Sequence, residues 1–176
     1  MKKLLLIISA CFWFGAAFAQ SGDMAHVRPA VSLGPEVGFV QRSLYNTSYG
    51  AIAKLEIPVA ATLSATLTGG IDFMHIKSFN FGQVRSTGGT DTYVPVRAGA
   101  RYFLGPGFYG EGELGAAIQI NGNHDKLFAY AIGPGFVTPL KSDGSASALD
   151  ISFRYESWSR NRMQQVAIRV AYRLGR

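Results

Sequence analysis

The chain has 176 residues, is 48% hydrophobic but only 16% charged, and carries 21 glycines, one cysteine and a mean hydropathy of +0.13. That length suits one domain, the charge content falls below the about 25% of ordinary globular domains, and one cysteine excludes a disulfide framework or a thiolate zinc cluster. Seventeen basic against 11 acidic residues give +6, and setting Lys2 and Lys3 aside with a leader leaves 15 against 11, or +4, which is too modest for a nucleic-acid binder.

Residues 1–19 read as a secretory signal peptide. Lys2 and Lys3 form its positive start, Leu4 to Phe14 its apolar stretch, and Ala17-Phe18-Ala19 a small-x-small cleavage site that leaves Gln20 first in the mature chain. Ile8-Ser9-Ala10-Cys11 resembles a lipobox, but it bisects the apolar stretch instead of ending it. From Gln20 on the sequence turns polar, so no spanning anchor of about 20 apolar residues follows.

The remainder alternates with period two, the mark of strands. In the first segment Val31, Leu33, Val37 and Phe39 share one parity, and Ser32, Gly34, Glu36 and Gly38 the other. The second sets Tyr49, Ala51, Ala53, Leu55 and Ile57 against Lys54 and Glu56. The third opposes Leu63, Ala65, Leu67, Ile71 and Phe73 to Ser64, Thr66, Thr68 and Asp72, and the fourth Val94, Val96, Ala98, Ala100 and Tyr102 to Arg97, Gly99 and Arg101. Next, Phe108, Leu114, Ala116 and Ile118 oppose Tyr109, Glu111, Glu113 and Gln119. Phe128, Tyr130, Ile132 and Phe136 then face away from Ala129, Ala131, Gly133 and Gly135. Leu149, Ile151, Phe153 and Tyr155 alternate with Asp150, Ser152, Arg154 and Glu156, and finally Val166, Ile168, Val170, Tyr172 and Leu174 with Arg169 and Arg173. Eight strands result.

The joins alternate in length. Tight joins near Pro58-Val59-Ala60 and Leu104-Gly105-Pro106-Gly107, with the polar stretch Pro139 to Ser147, take one end. Arg42 to Ser48, Lys77 to Thr92, Asn121 to Lys126 and Ser159 to Met163 take the other. Pro35, Pro95 and Pro134 fall inside strands, remove ladder donors and are predicted to mark bulges.

Alternation alone fits a soluble barrel with an apolar interior or a membrane barrel with the faces inverted. Three features favour inversion. The polar parity is Gly, Ala, Ser and Thr with isolated charges and Lys54 as its one lysine, where a soluble surface carries more charge. Its charges nearly cancel: Glu36, Glu56, Asp72, Glu111, Glu113, Asp150 and Glu156 can pair with Lys54, Arg97, Arg101, Arg154, Arg169 and Arg173, as enclosed charges must. The third is aromatic placement on the apolar parity. Phe39, Tyr49, Phe73, Phe128, Tyr130 and Tyr155 lie towards the long-join end, and Tyr102, Phe108, Phe136 and Tyr172 towards the other, the pattern of two membrane–water interfaces.

On these grounds residues 28–176 resemble a small, eight-stranded bacterial outer-membrane β-barrel of the opacity-protein-like class. The resemblance implies an all-β, closed antiparallel transmembrane barrel of up-and-down meander topology. It also implies a short periplasmic segment over 20–27 and contact with outer-membrane lipid, lipopolysaccharide and the outer-membrane assembly machinery. The last strand, Gln165 to Leu174, resembles the C-terminal assembly signal of such barrels, although the chain ends Leu174-Gly175-Arg176 without a terminal aromatic.

No compact catalytic pattern accompanies the barrel. His26, His75 and His124 stand apart from any His-x-Ser spacing, and Glu111 and Glu113, two apart on one strand face, read as salt-bridge partners. Asp72 with His75, or His124 with Asp125, lacks the ligands that would complete a metal site. No catalytic residue, cofactor or metal is therefore expected, and a large pore does not suit eight strands. Asn46-Thr47-Ser48 matches a glycosylation sequon by chance in a bacterial setting. Arg42, Lys77, Arg85, Lys126, Arg160 and Arg162 gather at the long-join end, and Ser78 to Asp91, with Phe79, Phe81 and Arg85, is the longest candidate recognition loop. The expected function is a structural or surface-interaction role through those loops. The alternatives are a soluble exported barrel binding a small apolar ligand and an outer-membrane enzyme acting on lipid.

Overall fold

In the computed structural model the described residues are 29–175, apart from 42, 44, 78, 82–83, 87–88, 122–123, 141–146 and 160–162. The leader and the 20–27 segment lie outside them. Ten strands follow in order: β1 Ala30–Gln41, β2 Tyr45–Ala60, β3 Leu63–Ile76, β4 Phe79–Phe81, β5 Val84–Ser86, β6 Thr90–Phe103, β7 Phe108–Gln119, β8 Lys126–Pro139, β9 Ser147–Trp158 and β10 Met163–Gly175. Eight of them close into a barrel, each antiparallel to its chain neighbour, with β1 sealing against β10 from Ala30↔Gly175 to Gln41↔Gln164. β4 and β5 form a separate hairpin between β3 and β6.

The face that each residue takes follows the alternation. β1 is buried and exposed by turns along its whole length, with Ser32, Gly34, Glu36 and Gly38 inward and Val31, Leu33, Val37 and Phe39 outward. Leu33, Leu114, Ile132 and Phe153 are all more than half exposed, while Lys54, Arg97, Arg101 and Arg169 are buried. A closed wall that is apolar outside and charged inside gives every barrel strand two hydrogen-bonded neighbours and leaves no edge, which is what hydrocarbon demands of a spanning structure. The soluble reading required the opposite orientation.

The strands run further than their alternation suggested at the long-join end. β2 begins at Tyr45, four residues before Tyr49, and β6 at Thr90. The predicted 77–92 loop thus shrinks, and part of it is itself the β4–β5 hairpin. At the opposite end β2 continues through Pro58-Val59-Ala60, and the turn is Ala61-Thr62.

Pro35, Pro95 and Pro134 do not mark bulges. Pairing keeps one register on both sides of each: Leu33↔Tyr172 and Glu36↔Arg169 flank Pro35, Gly69↔Val96 and Asp72↔Tyr93 flank Pro95, and Ile132↔Tyr155 and Gly135↔Ser152 flank Pro134. Each proline simply leaves rungs unpaired towards one neighbour, because it has no N–H to donate, and keeps its place opposite the other, at Ala51, Ala117 and Gly110. The register shifts on β2–β3 instead, between Tyr45 and Thr47 and between Pro58 and Ala60.

Candidate functional site

The lumen is built by rows of inward side chains in which long residues stand beside small ones. Along one row Lys54, Thr68, Arg97 and Gly115 face each other across β2, β3, β6 and β7. A Cβ at Gly115 would collide with the Val96 carbonyl and the Arg97 Cα, so only glycine lets β6 and β7 approach this closely beside an arginine. Gly133 plays the same part against Phe153 and Arg154. The many glycines and alanines of the polar parity are thus the space into which the arginines fold.

Two linked groups of charges fill that space. Towards the short-turn end, Arg101 binds Glu56 at 2.9 Å, Glu111 at 2.8 Å and Asp150 at 3.0 Å, and its guanidinium lies 3.7 Å over the Tyr109 ring. The Tyr109 hydroxyl donates to Asp150. Arg173, 22% exposed at the mouth, meets Glu56 at 3.0 Å. Further up, Arg97 pairs with Glu156 and lies 3.2 Å from Glu113, while Arg154 reaches Glu36 at 2.6 Å and Glu156 at 3.1 Å. Lys54 joins the groups by pairing with Glu111 and, at 2.8 Å, with Glu113. Glu156 also accepts from the Trp158 indole at 2.8 Å and from Gln165 at 3.1 Å.

Two members of the predicted network sit at its edge. Arg169 is 1% exposed, yet its one ion-pair contact among the described residues is Glu111 at 3.9 Å. Asp72 is buried inward opposite Gly50, and its Oδ2 has no hydrogen-bond partner among the described residues.

Above the charges, at the long-join end, the lumen is capped by an apolar cluster that includes Tyr45, Met74, Tyr93, Leu127, Trp158 and Met163. Tyr93 packs edge-on to Trp158, ring centroids 4.7 Å apart, and to Tyr45 at 6.4 Å. The Tyr45 hydroxyl lies 3.1 Å from that of Tyr93 and donates to Asp91 at 2.5 Å. Alternation in the sequence does not reveal this cap, because it places apolar residues outside and several strands run further than it marks. Continuing the inward parity from Asp72, Arg97 and Glu156 reaches Met74, Tyr93 and Trp158. Tyr45 is different, since its parity is that of outward Tyr49 and the bulge before Thr47 turns it in.

The aromatics expected at the two rims point outward. Phe39, Phe128, Tyr102 and Phe108 are 45–57% exposed, as are Tyr49, Phe136 and Tyr172 to a similar degree. Tyr130 and Tyr155 are adjacent, with centroids 6.5 Å apart, and Tyr49 stacks on Phe73 at 5.5 Å. Phe108 pairs across the strands with Phe136.

The chemistry-bearing residues remain dispersed. Asp72 faces the lumen while His75 is exposed, 5.8 Å from the Tyr49 ring and 3.4 Å from the Thr90 hydroxyl, so these two do not converge. His124 occupies a turn at φ 54°. Among the described residues no group of three His, Cys, Asp or Glu is placed to hold a metal. Lys77 and Lys126 stand at the long-join rim, Lys77 donating to the Ser43 carbonyl at 3.4 Å. Arg42, Arg160 and Arg162, and the side chain of Arg85, lie outside the described residues.

No protein-family model matches the chain, and no curated protein does. Solved structures share its architecture. The attachment invasion locus protein Ail of Yersinia pestis is 16% identical, with 84% of this chain and 99% of that one covered at a TM-score of 0.53. The backbone structure of Ail in a phospholipid bilayer nanodisc covers 86% of this chain and 100% of that one, at 14% identity and a TM-score of 0.54. Ail in complex with the heparin analogue sucrose octasulfate covers 84% and 99%, at 17% identity and a TM-score of 0.51. At such identities the likeness is one of fold: this chain is a closed, eight-stranded antiparallel β-barrel built like these outer-membrane barrels, with its apolar face outward and its charges within.

Proposed function

We propose that this barrel is a sealed, rigid platform that displays its long connections at the cell surface to bind an anionic ligand, a sulfated or phosphorylated sugar. The observation that carries the reading is the state of the lumen. Paired charges occupy its length and the Tyr45–Tyr93–Trp158 cluster covers the outer end, leaving transport no route and the rim as the place for recognition. Chain beyond the wall is concentrated at that rim, where recognition segments of small barrels lie. Lys77 and Lys126 stand there, and the sequence adds Arg42, Arg85, Arg160 and Arg162 to the same connections. Guanidinium and ammonium groups grouped this way suit phosphate or sulfate oxygens. That Ail, of like fold, was solved with a heparin analogue supports the ligand class. In this reading the leader directs export, residues 20–27 remain periplasmic, and β10 engages the assembly machinery.

The test uses the protein reconstituted in lipid vesicles and titrated with heparin and with purified lipopolysaccharide. Replacing Lys126, Arg160 and Arg162 by Glu is expected to abolish salt-sensitive binding while the boiled and unboiled forms still migrate apart. Binding that survives the charge reversal would overturn the anionic-ligand reading. Replacing Phe79–Ser86 by a short Gly-Ser link should likewise spare assembly, since an outer hairpin contributes no rung to the barrel.

A further inference from the structure

On the outer wall, near the short-turn end, Gly110 and Gly112 of β7 face outward side by side. Gly110 lies between Tyr102 of β6 and Pro134 of β8, and Gly112 between Ala100 and Ile132. A Cβ added at either glycine would meet no atom within 4 Å, so both open onto free space. The result is a trough of about 530 Å³ with Gly110, Gly112 and Pro134 as its floor. Tyr102, Phe108 and Ile132 stand around it, each 45% exposed or more.

We infer that this trough is a binding site for one phospholipid acyl chain from the periplasmic leaflet. The trough is continuous with the lipid-facing wall, so its occupant comes from the bilayer. Left empty, it would forfeit the dispersion contacts of its lining, and water gains nothing in a concavity with apolar walls. Its width selects among the membrane's components. With β7 bare, the flanking side chains rise from β6 and β8, whose axes are two strand spacings, about 10 Å, apart. A transmembrane helix, about 10–12 Å across with its side chains, cannot enter, whereas a single hydrocarbon chain lies along the glycine floor. Glu111 reaches the edge of the trough from the lumen side, but its carboxylate is held by Arg101 and Lys54. Among the described residues that line the trough no charged group is thereby offered to a headgroup, and the site reads the chain alone.

Native mass spectrometry of the barrel released from vesicles of mixed phosphatidylethanolamine and phosphatidylglycerol tests this. The wild-type protein is expected to retain one phospholipid, with no preference between the two headgroups. Gly110→Leu/Gly112→Leu fills the trough and should lose that lipid, while Ala51→Leu on the outward face of β2 keeps it. Heat-modifiability certifies each barrel, and Gly112→Leu alone, expected to lower retention, serves if the double variant does not assemble. Equal retention in wild-type and filled barrels, or none in either, overturns the site. A strong headgroup preference also overturns it as a chain site. Efficient disulfide dimerisation of Gly112→Cys in the bilayer would assign the trough to a second copy instead.

Discussion

At the scale of single residues the lumen charges are not equivalent. Glu113 touches Lys54 at 2.8 Å, Arg97 at 3.2 Å and Arg154 at 3.5 Å, and accepts from the Thr68 hydroxyl at 2.5 Å. Removing its charge takes one carboxylate from each of three buried cations, which keep Glu111, Glu156 and Glu36 as partners, and breaking a buried pair from one side costs about 3–5 kcal/mol. Asp72 makes no ion pair among the described residues, so neutralising it strands nothing. Glu113→Gln is therefore expected to lower unfolding stability in urea and lipid by about 3 kcal/mol, and Asp72→Asn to change it by less than about 1 kcal/mol or raise it. Equal losses for the two would show that the contacts around Glu113 do not set its contribution. The opposed fates of two residues of the same parity and charge were not legible in sequence, because the partners come from other strands.

Among the elements, β7 concentrates the glycines that shape the wall, and they act in opposite directions. Gly110 and Gly112 face outward into free space; Gly115 faces inward where a Cβ would strike the backbone of β6. Gly112→Ala should accordingly be tolerated, and Gly115→Ala should disturb the β6–β7 ladder and cost about 1–3 kcal/mol as an overpacked site. Urea midpoints of the refolded variants decide between this and a uniform glycine effect arising from the unfolded chain. The strand prolines make a related point. The positions of Pro35, Pro95 and Pro134 were evident from the sequence, but whether each costs a bulge or only a rung depends on the neighbouring register, which held around these three.

For the whole molecule, inversion of the wall sets how it responds to solvent. Val170 is 40% exposed on the outward face of β10. Val170→Arg should cost about 2–4 kcal/mol in a bilayer if the position is near the midplane, measured by equilibrium unfolding in vesicles. No loss would mean that this face does not meet hydrocarbon. Closure and capping lead to a second expectation. Single barrels in a planar bilayer should show no steady conductance, and Tyr93→Ala combined with Trp158→Ala should open the outer end without emptying the charged section below, so conductance should stay near baseline. A stable open channel in the wild type would contradict the sealed platform.

Period-two alternation determined from sequence alone which side chains share a face, that eight long strands exist, and that the charged face was too sparse in lysine to be a soluble surface. Those are local or compositional properties, and one residue of register moves a whole strand from one face to the other, so they survive without knowledge of neighbours. Tertiary structure decided where strands end, because Tyr45 and Thr90 extend β2 and β6 by pairing with Ile76 and His75 rather than by their own propensity. It alone decided that Arg101 gathers Glu56, Glu111 and Asp150 from three other strands, and that aromatics also cap the lumen from within. Closing the sheet brings residues dozens of positions apart to within hydrogen-bond distance, and a linear pattern carries no record of that stagger.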